Sequence, residues 1–331
     1  MRPFTYTRAA SVDDAVKAFG TNPDTRYVGG GTNLLDLMKM GVERPAHLVD
    51  INRLPLTEIT EHEGGVRMGA LARNTDAANH ELIRTRYPVL SQAILAGASQ
   101  QLRNMATMGG NLLQRTRCYY FYDPSYGECN KRTPGSGCAA IEGVNRIHAI
   151  LGANNSCIAT HPSDMCIALA ALDAKVQVTG PKGSRAIPMA EFHRLPGDTP
   201  QHETNLLPGE LITAIDVPAL DYAKRSYYLK VRDRQSYAFA LVSVAVALDV
   251  EETGTIRRAH IALGGVAHKP WRAERAEKAL AGKKPDANVL RSAAEAELKD
   301  AKGYGGNDFK IELARRCIVR AVGTAAAMSQ A

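Results

Sequence analysis

Apolar positions in the first seventy residues follow two alternating rhythms. Helical spacing runs through "VDDAVKAF", where Ser11 followed by Asp14 marks the start, and again through "NLLDLMKMG", from Asn33 to a stop at Gly41. Short runs of strand length, "RYV" at 26–28 and "AHLVDI" at 46–51, lie between and after them, so this part alternates strand and helix. "LTEITEHEGGVRMGALA" then reads as a hairpin turning at Gly64-Gly65. Asn74 or Thr75 is placed to cap a helix through "DAANHELIR", and "VLSQAILAGA" has helical spacing.

The rhythm stops between Arg115 and Asn155. "RTRCYYFYDPSYGECNKRTPGSGCAAIEG" has no period and is rich in Gly, Pro, Tyr and Cys. So long an irregular stretch in a compact domain is functional or disordered, and its cysteines and tyrosines argue against disorder. Order returns with the helix of "HPSDMCIALAALDA", capped by Ser163 or Asp164, then the strand "KVQVTG", a turn at "PKGS" and the strand "LITAIDVP". A second unit follows, with strands at "SYYLKV", "ALVSVAVALDV" and "IRRAHIALGGV" and helices at "RAERAEKALAG" and "IELARRCIVRAVGTAAAM". The expected boundary lies near residue 220, giving units 1–220, with a Cys-rich insertion at about 115–157, and 221–331.

A length of 331 residues suits two domains and a sizeable core. The net charge of +7 is modest, and Lys and Arg are scattered rather than gathered into a run, which disfavours nucleic acid as a partner. Charges interrupt the first nineteen residues where an export signal needs an apolar core. The longest apolar run, Tyr237 to Leu248, falls short of the ~20 residues that span a bilayer, so no membrane insertion is expected.

Two stretches share a spelling: "VGGGTNLL" from Val28 and "TMGGNLL" from Thr107. Glycine pairs let the chain take positive φ and let another group approach bare main chain, and amides at a following helix start favour anionic oxygens. Two common phosphate motifs are missing. After Gly29 and Gly31 the third glycine of a G-x-G-x-x-G is replaced by Leu34, and no Gly-Lys-Ser/Thr is present. On spacing alone, a phosphate cradle at 29–33 and a plain turn are both open.

"VGGGTNLLDLMKMGV", "LRNMATMGGNLLQ" and "HPSDMCIALAALDAKV", in that order, resemble the FAD-binding subunits of the molybdenum hydroxylases, the xanthine dehydrogenase and carbon monoxide dehydrogenase family. The resemblance covers essentially the whole chain, including "YYLKVRDRQSYAFALVSVAVAL". It implies an α+β fold: a two-part FAD-binding domain of the PCMH or vanillyl-alcohol oxidase type, then a smaller α+β C-terminal domain of the CO dehydrogenase flavoprotein type. It also implies site residues. The loop from Val28 to Leu34, with Gly29, Gly30, Gly31, Thr32 and Asn33, would hold the FAD pyrophosphate, and Thr107, Gly110 and Asn111 would close on it from the other side. Asp164, with Ser163 beside it, corresponds to the acidic position near the flavin's sugar-like chain, although a simple N-cap explains it as well. Lys230 matches a basic position near the flavin ring, although a lone lysine in a strand reads equally as solvated, and Tyr237 either lies against the ring or belongs to the core. The first glycine loop has no histidine, where covalent flavoproteins of this fold place one, so noncovalent FAD is expected.

Cys118, Cys129, Cys138 and Cys157 are separated by ten, eight and eighteen residues, with no C-x-x-C pair. Spacing by itself therefore does not choose among zinc, an iron–sulfur cluster and free thiols. The insertion is similar to the one in a subset of the family, the FAD subunits of bacterial periplasmic aldehyde oxidoreductases, and that likeness implies a [4Fe–4S] cluster on these four cysteines. Cys166 and Cys317 sit at helical spacing among apolar residues and read as small core residues.

The resemblance implies an oxidoreductase subunit whose work is electron transfer. One partner subunit would carry the molybdenum cofactor and oxidise an aldehyde, and another, with two [2Fe–2S] clusters, would pass the electrons to FAD and on to a terminal acceptor. The compartment would be the periplasm if an exported partner carries the chain, and otherwise the cytoplasm. Two other readings stay open at this point: a self-sufficient FAD oxidoreductase of the same fold, and a metal-stapled scaffold without redox chemistry.

Overall fold

The computed structural model describes residues 1–328. Strands β1 (Thr5–Arg8), β2 (Thr25–Val28) and β3 (His47–Asp50) form a parallel sheet in the order β1-β3-β2. The helix Val12–Phe19 crosses from β1 to β2, its start fixed by the Ser11 hydroxyl accepting from the Asp14 N–H at 3.1 Å. All four residues of β1 are exposed, so it carries no apolar alternation to reveal it. The helix Leu34–Lys39 returns the chain from β2 to β3, and the glycine loop lies between β2 and that helix.

Strands β4 (Ile59–His62), β5 (Gly65–Gly69), β6 (Lys175–Gly180), β7 (Gly183–Pro188) and β8 (Leu211–Val217) form an antiparallel sheet ordered β4-β5-β8-β6-β7. The β4–β5 turn falls on Glu63 and Gly64, whose φ values are 50° and 76°, one residue earlier than expected. Gly65 is instead a strand residue, where a Cβ would drive into the Val217 carbonyl of β8. The helix expected through Arg84 breaks at His80, whose ψ of 134° is extended, into Asn74–Asn79 and Glu81–Arg86. Arg73 takes the N-cap position, and the buried Asn74 side chain has another use, described below.

The second unit is the antiparallel sheet β12-β11-β10-β9, made of β9 (Ser226–Val231), β10 (Val242–Val250), β11 (Ile256–Gly264) and β12 (Trp271–Arg272). The helices Glu274–Leu280, Ala287–Glu297 and Phe309–Ala326 pack with it in one apolar core. Val242, Val244, Val246 and Leu248 belong to that core, while Ala245 joins the core of the first unit. A strand covered on both faces is apolar at nearly every position, which is why β10 reads as an apolar run broken only by Ser243 and Asp249. The helix Asp164–Ala171 is buried at all eight positions, because it lies between the helix Pro88–Ala96 and strands β10 and β11. Among the described residues, no helix is long and apolar enough to cross a membrane.

Candidate cofactor-binding site

The two glycine turns pack directly on one another. A Cβ on Gly29 would stand 3.3 Å from the Thr107 hydroxyl, and one on Gly30 would drive into the Met105 carbonyl. Gly31 takes φ 72°, a left-handed conformation that costs glycine little. The second turn is held by main chain: the Met108 N–H donates to the Ala72 carbonyl at 3.0 Å and the Gly109 N–H to the Ala70 carbonyl at 2.8 Å. Thr107 is buried, and its hydroxyl accepts from the Gly110 N–H at 3.2 Å, capping the short helix Met108–Leu112.

One cavity of about 330 Å³ runs along both turns, lined by Val28 to Leu34 and by Thr107, Gly109 and Gly110. Among the described residues, the N–H groups of Gly29 to Asn33 have no protein acceptor. Buried or half-buried N–H groups left this way are a ready site for anionic oxygens. The expected residues of both loops are therefore brought to one wall, with Asn111 immediately behind it.

Asn33 and Asn111 are anchors. The Asn33 side-chain oxygen Oδ1 accepts from the Arg115 N–H at 2.9 Å, and its side-chain amide nitrogen donates to the Tyr122 hydroxyl at 3.3 Å, tying the first loop to the Cys-rich segment. The Asn111 amide donates to Asn74 at 2.7 Å, and its oxygen accepts from the Ser163 hydroxyl at 2.6 Å. Ser163 also caps its helix, accepting from the Cys166 N–H at 3.1 Å, so one hydroxyl joins the second turn to the Asp164–Ala171 helix.

Asp164 lines a second cavity of about 210 Å³, whose wall includes Arg117, Tyr119, Phe239 and Gly265; His161 lines both cavities. Asp164 accepts from the Tyr228 hydroxyl at 2.6 Å and from the Lys230 ammonium at 2.7 Å. Both side chains of the ion pair are buried, at 6% and 5% exposure. Lys230 stands outside the walls of both cavities and donates its remaining contact to the Ala96 carbonyl at 2.9 Å. Its charge is therefore neutralised by Asp164 and clamps β9 to the first domain. Tyr237 is neither core nor cavity wall: it is 56% exposed, at φ 51°, with the Arg234 guanidinium 5.7 Å from its ring centroid.

The four cysteines of the insertion meet. Cys118, Cys129, Cys138 and Cys157 surround a nearly filled space of about 10 Å³ together with Tyr120, Phe121 and Lys131. Cys129 and Cys138 face each other across an antiparallel bridge. The Ala159 N–H donates to Cys157 Sγ at 3.4 Å, while the Phe121 and Ile141 N–H groups donate to the Cys118 and Cys138 main-chain carbonyls at 3.1 and 3.2 Å and so hold the turns that carry those thiols. Cys157 donates to Cys138, which favours the Cys138 thiolate and pushes the Cys157 thiol up. The His148 ring reaches Cys118 Sγ through Nε2 at 3.1 Å, and burial, with the nearby Lys310 charge, pushes its pKa down to about 4, leaving the ring neutral. Cys166 is completely buried and Cys317 nearly so, away from the four, as core residues.

Several residues of the site had no local signal in the sequence. Arg115 pairs with Glu43 and, at 2.7 Å, with Glu203; Lys131, its side chain 2% exposed, meets Glu203 at 2.5 Å. Burial alone would raise the Glu203 pKa, but Arg115 and Lys131 hold it well below the usual carboxylate range. This network stands between the glycine-lined cavity and the cysteines, since Arg115 and Glu203 line the former and Lys131 the latter. His161 Nε2, His193 Nδ1 and His268 Nε2 are buried without partners. Burial pushes His193 and His268 down to about 4 and lowers His161 well below the ordinary histidine value, so these rings are neutral and offer acceptors. The ligand atoms of His161, His193 and Cys166 lie within 4.8 Å of one another.

Residues 2–220 match the FAD binding domain in molybdopterin dehydrogenase, and residues 227–325 match the CO dehydrogenase flavoprotein C-terminal domain. The aldehyde oxidoreductase FAD-binding subunit PaoB of Escherichia coli K12 is 49% identical over 331 residues, 99% of this chain and 100% of that protein. The glyceraldehyde dehydrogenase medium chain of Sulfolobus acidocaldarius is 31% identical over 88% of this chain and 85% of its own length. Carbon monoxide dehydrogenase from Hydrogenophaga pseudoflava has a similar fold, with a TM-score of 0.76 at 27% identity over 98% of this chain and 97% of that one.

Proposed function

Because the chain belongs to the FAD-binding subunits of the molybdenum hydroxylases, we propose that it is the flavin-bearing electron-transfer subunit of an aldehyde-oxidising member of that family. It is an oxidoreductase subunit. The observation that carries the FAD assignment is the mutual packing of two glycine turns along one cavity, with the N–H groups of Gly29 to Asn33 unpaired. Those N–H groups, with Gly110 and Thr107 opposite, would hold the pyrophosphate noncovalently. Asn33, Asn111 and Ser163 would keep the two turns in register, and Asp164 would face the flavin end of the site from the second cavity. Lys230 acts on that end through Asp164 rather than by contact. Bound FAD supplies a carrier that takes electrons singly and gives up two together, the property needed between one-electron clusters and a two-electron acceptor.

Cys118, Cys129, Cys138 and Cys157 would hold a [4Fe–4S] cluster. Four thiols converge on one small space, with the Ala159 N–H donating to Cys157 Sγ and His148 Nε2 at 3.1 Å from Cys118 Sγ, the kind of donor set and hydrogen bonding such clusters use. The partners are a molybdenum-cofactor subunit and a subunit with two [2Fe–2S] clusters, and the compartment is the periplasm when an exported partner carries the chain.

The test is co-expression with both partner subunits, followed by flavin, iron and molybdenum analysis of the purified complex. FAD at one per chain is expected, with four irons beyond those of the [2Fe–2S] subunit. Cys129→Ser should lose these four and Cys317→Ser should keep them. A complex that contains molybdenum and [2Fe–2S] clusters but no flavin ends the FAD assignment, and equal iron in both variants ends the cluster assignment.

A further inference from the structure

His148 lies outside both cofactor cavities and is not a thiol, yet it is 1% exposed and touches one of the four cysteines. Its Nε2 is 3.1 Å from Cys118 Sγ, while its Nδ1 is buried without a partner. Its main chain is held from several directions. The His148 N–H donates to the Asn145 carbonyl at 2.9 Å, and its own carbonyl accepts from the Lys310 ammonium at 2.7 Å and the Asn307 amide at 3.3 Å. Lys310 and Asn307 are themselves fully buried, and Lys310 stands in the first turn of the helix Phe309–Ala326. The C-terminal domain thus grips the residue whose ring meets the cysteine nest of the first domain.

A thiolate bound to iron carries no proton, so in this contact the ring nitrogen must be the donor. A neutral imidazole with its N–H on Nε2 leaves Nδ1 as a bare lone pair, and Nδ1 indeed faces no protein donor. Reduction of a cluster adds one electron and no proton, so negative charge on its sulfurs grows. An N–H aimed at a ligand sulfur stabilises that extra charge and raises the reduction potential. In a buried site the effect is weakly screened.

Resting on the cluster assignment above, we propose that His148 is a positioning residue for the cluster, donating from Nε2 to Cys118 Sγ and setting the cluster's reduction potential through that bond. The backbone donor to Cys157, the Ala159 N–H, belongs to the segment that holds that cysteine. His148 is a side-chain donor fixed by the other domain, so the packing of the two domains also sets the cluster's potential.

The experiment is a dithionite titration of the whole purified complex, followed by electron paramagnetic resonance of the reduced cluster, in wild type and three variants. Gln at 148 places its amide nitrogen where Nε2 lies, Asn places it nearer Nδ1, and Leu has no donor. H148Q should keep the wild-type midpoint, whereas H148N and H148L should shift it to lower potential with flavin content unchanged. Equal midpoints in all four proteins, or equal shifts in H148Q and H148N, overturn the proposal. Should H148L fail to retain iron, the H148Q and H148N pair decides. Wild type without a reduced-cluster signal and without the extra iron would defeat the cluster assignment instead, a result separable from unchanged midpoints in loaded protein.

Discussion

Replacing Lys230 by methionine removes an ammonium while keeping most of the apolar stem. The native Nζ stands 2.7 Å from Asp164 Oδ2 with both side chains about 5% exposed, so the variant leaves a carboxylate in a dry site with only the Tyr228 hydroxyl to satisfy it. The Ala96 carbonyl also loses a donor. Removing one member of a buried pair costs about 3–5 kcal/mol, in line with the ~4 kcal/mol attraction of two charges 4 Å apart at an effective dielectric of ~20. That is roughly two to three and a half powers of ten in the folded-to-unfolded ratio. Urea unfolding resolves it, followed by the fluorescence of Trp271, the chain's single tryptophan, which lies in β12 of the second domain. The double variant Lys230→Met with Asp164→Asn buries no charge and should recover most of the loss. A Lys230→Met protein within about 1 kcal/mol of wild type, or a double variant equal to the sum of the singles, would refute a strongly coupled interdomain pair.

Acid sensitivity should trace to Glu203. Its folded pKa is depressed by Arg115 and Lys131 against the effect of burial, so its stabilisation is complete above the ordinary Glu value of ~4.3 and is lost as pH falls below it. Thermal melts from neutral pH to about pH 3 should therefore fall more steeply in wild type than in Glu203→Gln; parallel curves would contradict this. Thr107→Val keeps the buried shape but frees the Gly110 N–H, a cap worth about 0.5–2 kcal/mol, and should weaken FAD retention by up to roughly tenfold on dialysis. Unchanged flavin content would show that the cap does not support the cofactor turn. Thr107 is a cleaner probe than Gly30, where any side chain first pushes the Met105 carbonyl away and so separates the turns before it meets a ligand.

The sequence by itself determined whatever depends on a few neighbouring residues. Ser11 and Ser163 cap helices because each hydroxyl reaches an N–H three residues on. β10 is apolar but for Ser243 and Asp249 because both its faces are covered, and the glycine pairs mark backbone that another chain segment approaches closely. The crowding of four cysteines marked the nest before any geometry was known. Strand β1, exposed at every residue, left no such trace, and the break at His80 followed from packing rather than from a proline or glycine. Tertiary structure alone decided the partners. Lys230 meets a carboxylate 66 residues away rather than facing a cavity, Lys131 meets Glu203 72 residues on, and Lys310 reaches the His148 carbonyl across 162. A charge or a donor carries no record of its partner in its own neighbourhood. It is satisfied by whatever the topology brings within about 3 Å, and that is settled only when the sheets and helices close into one core.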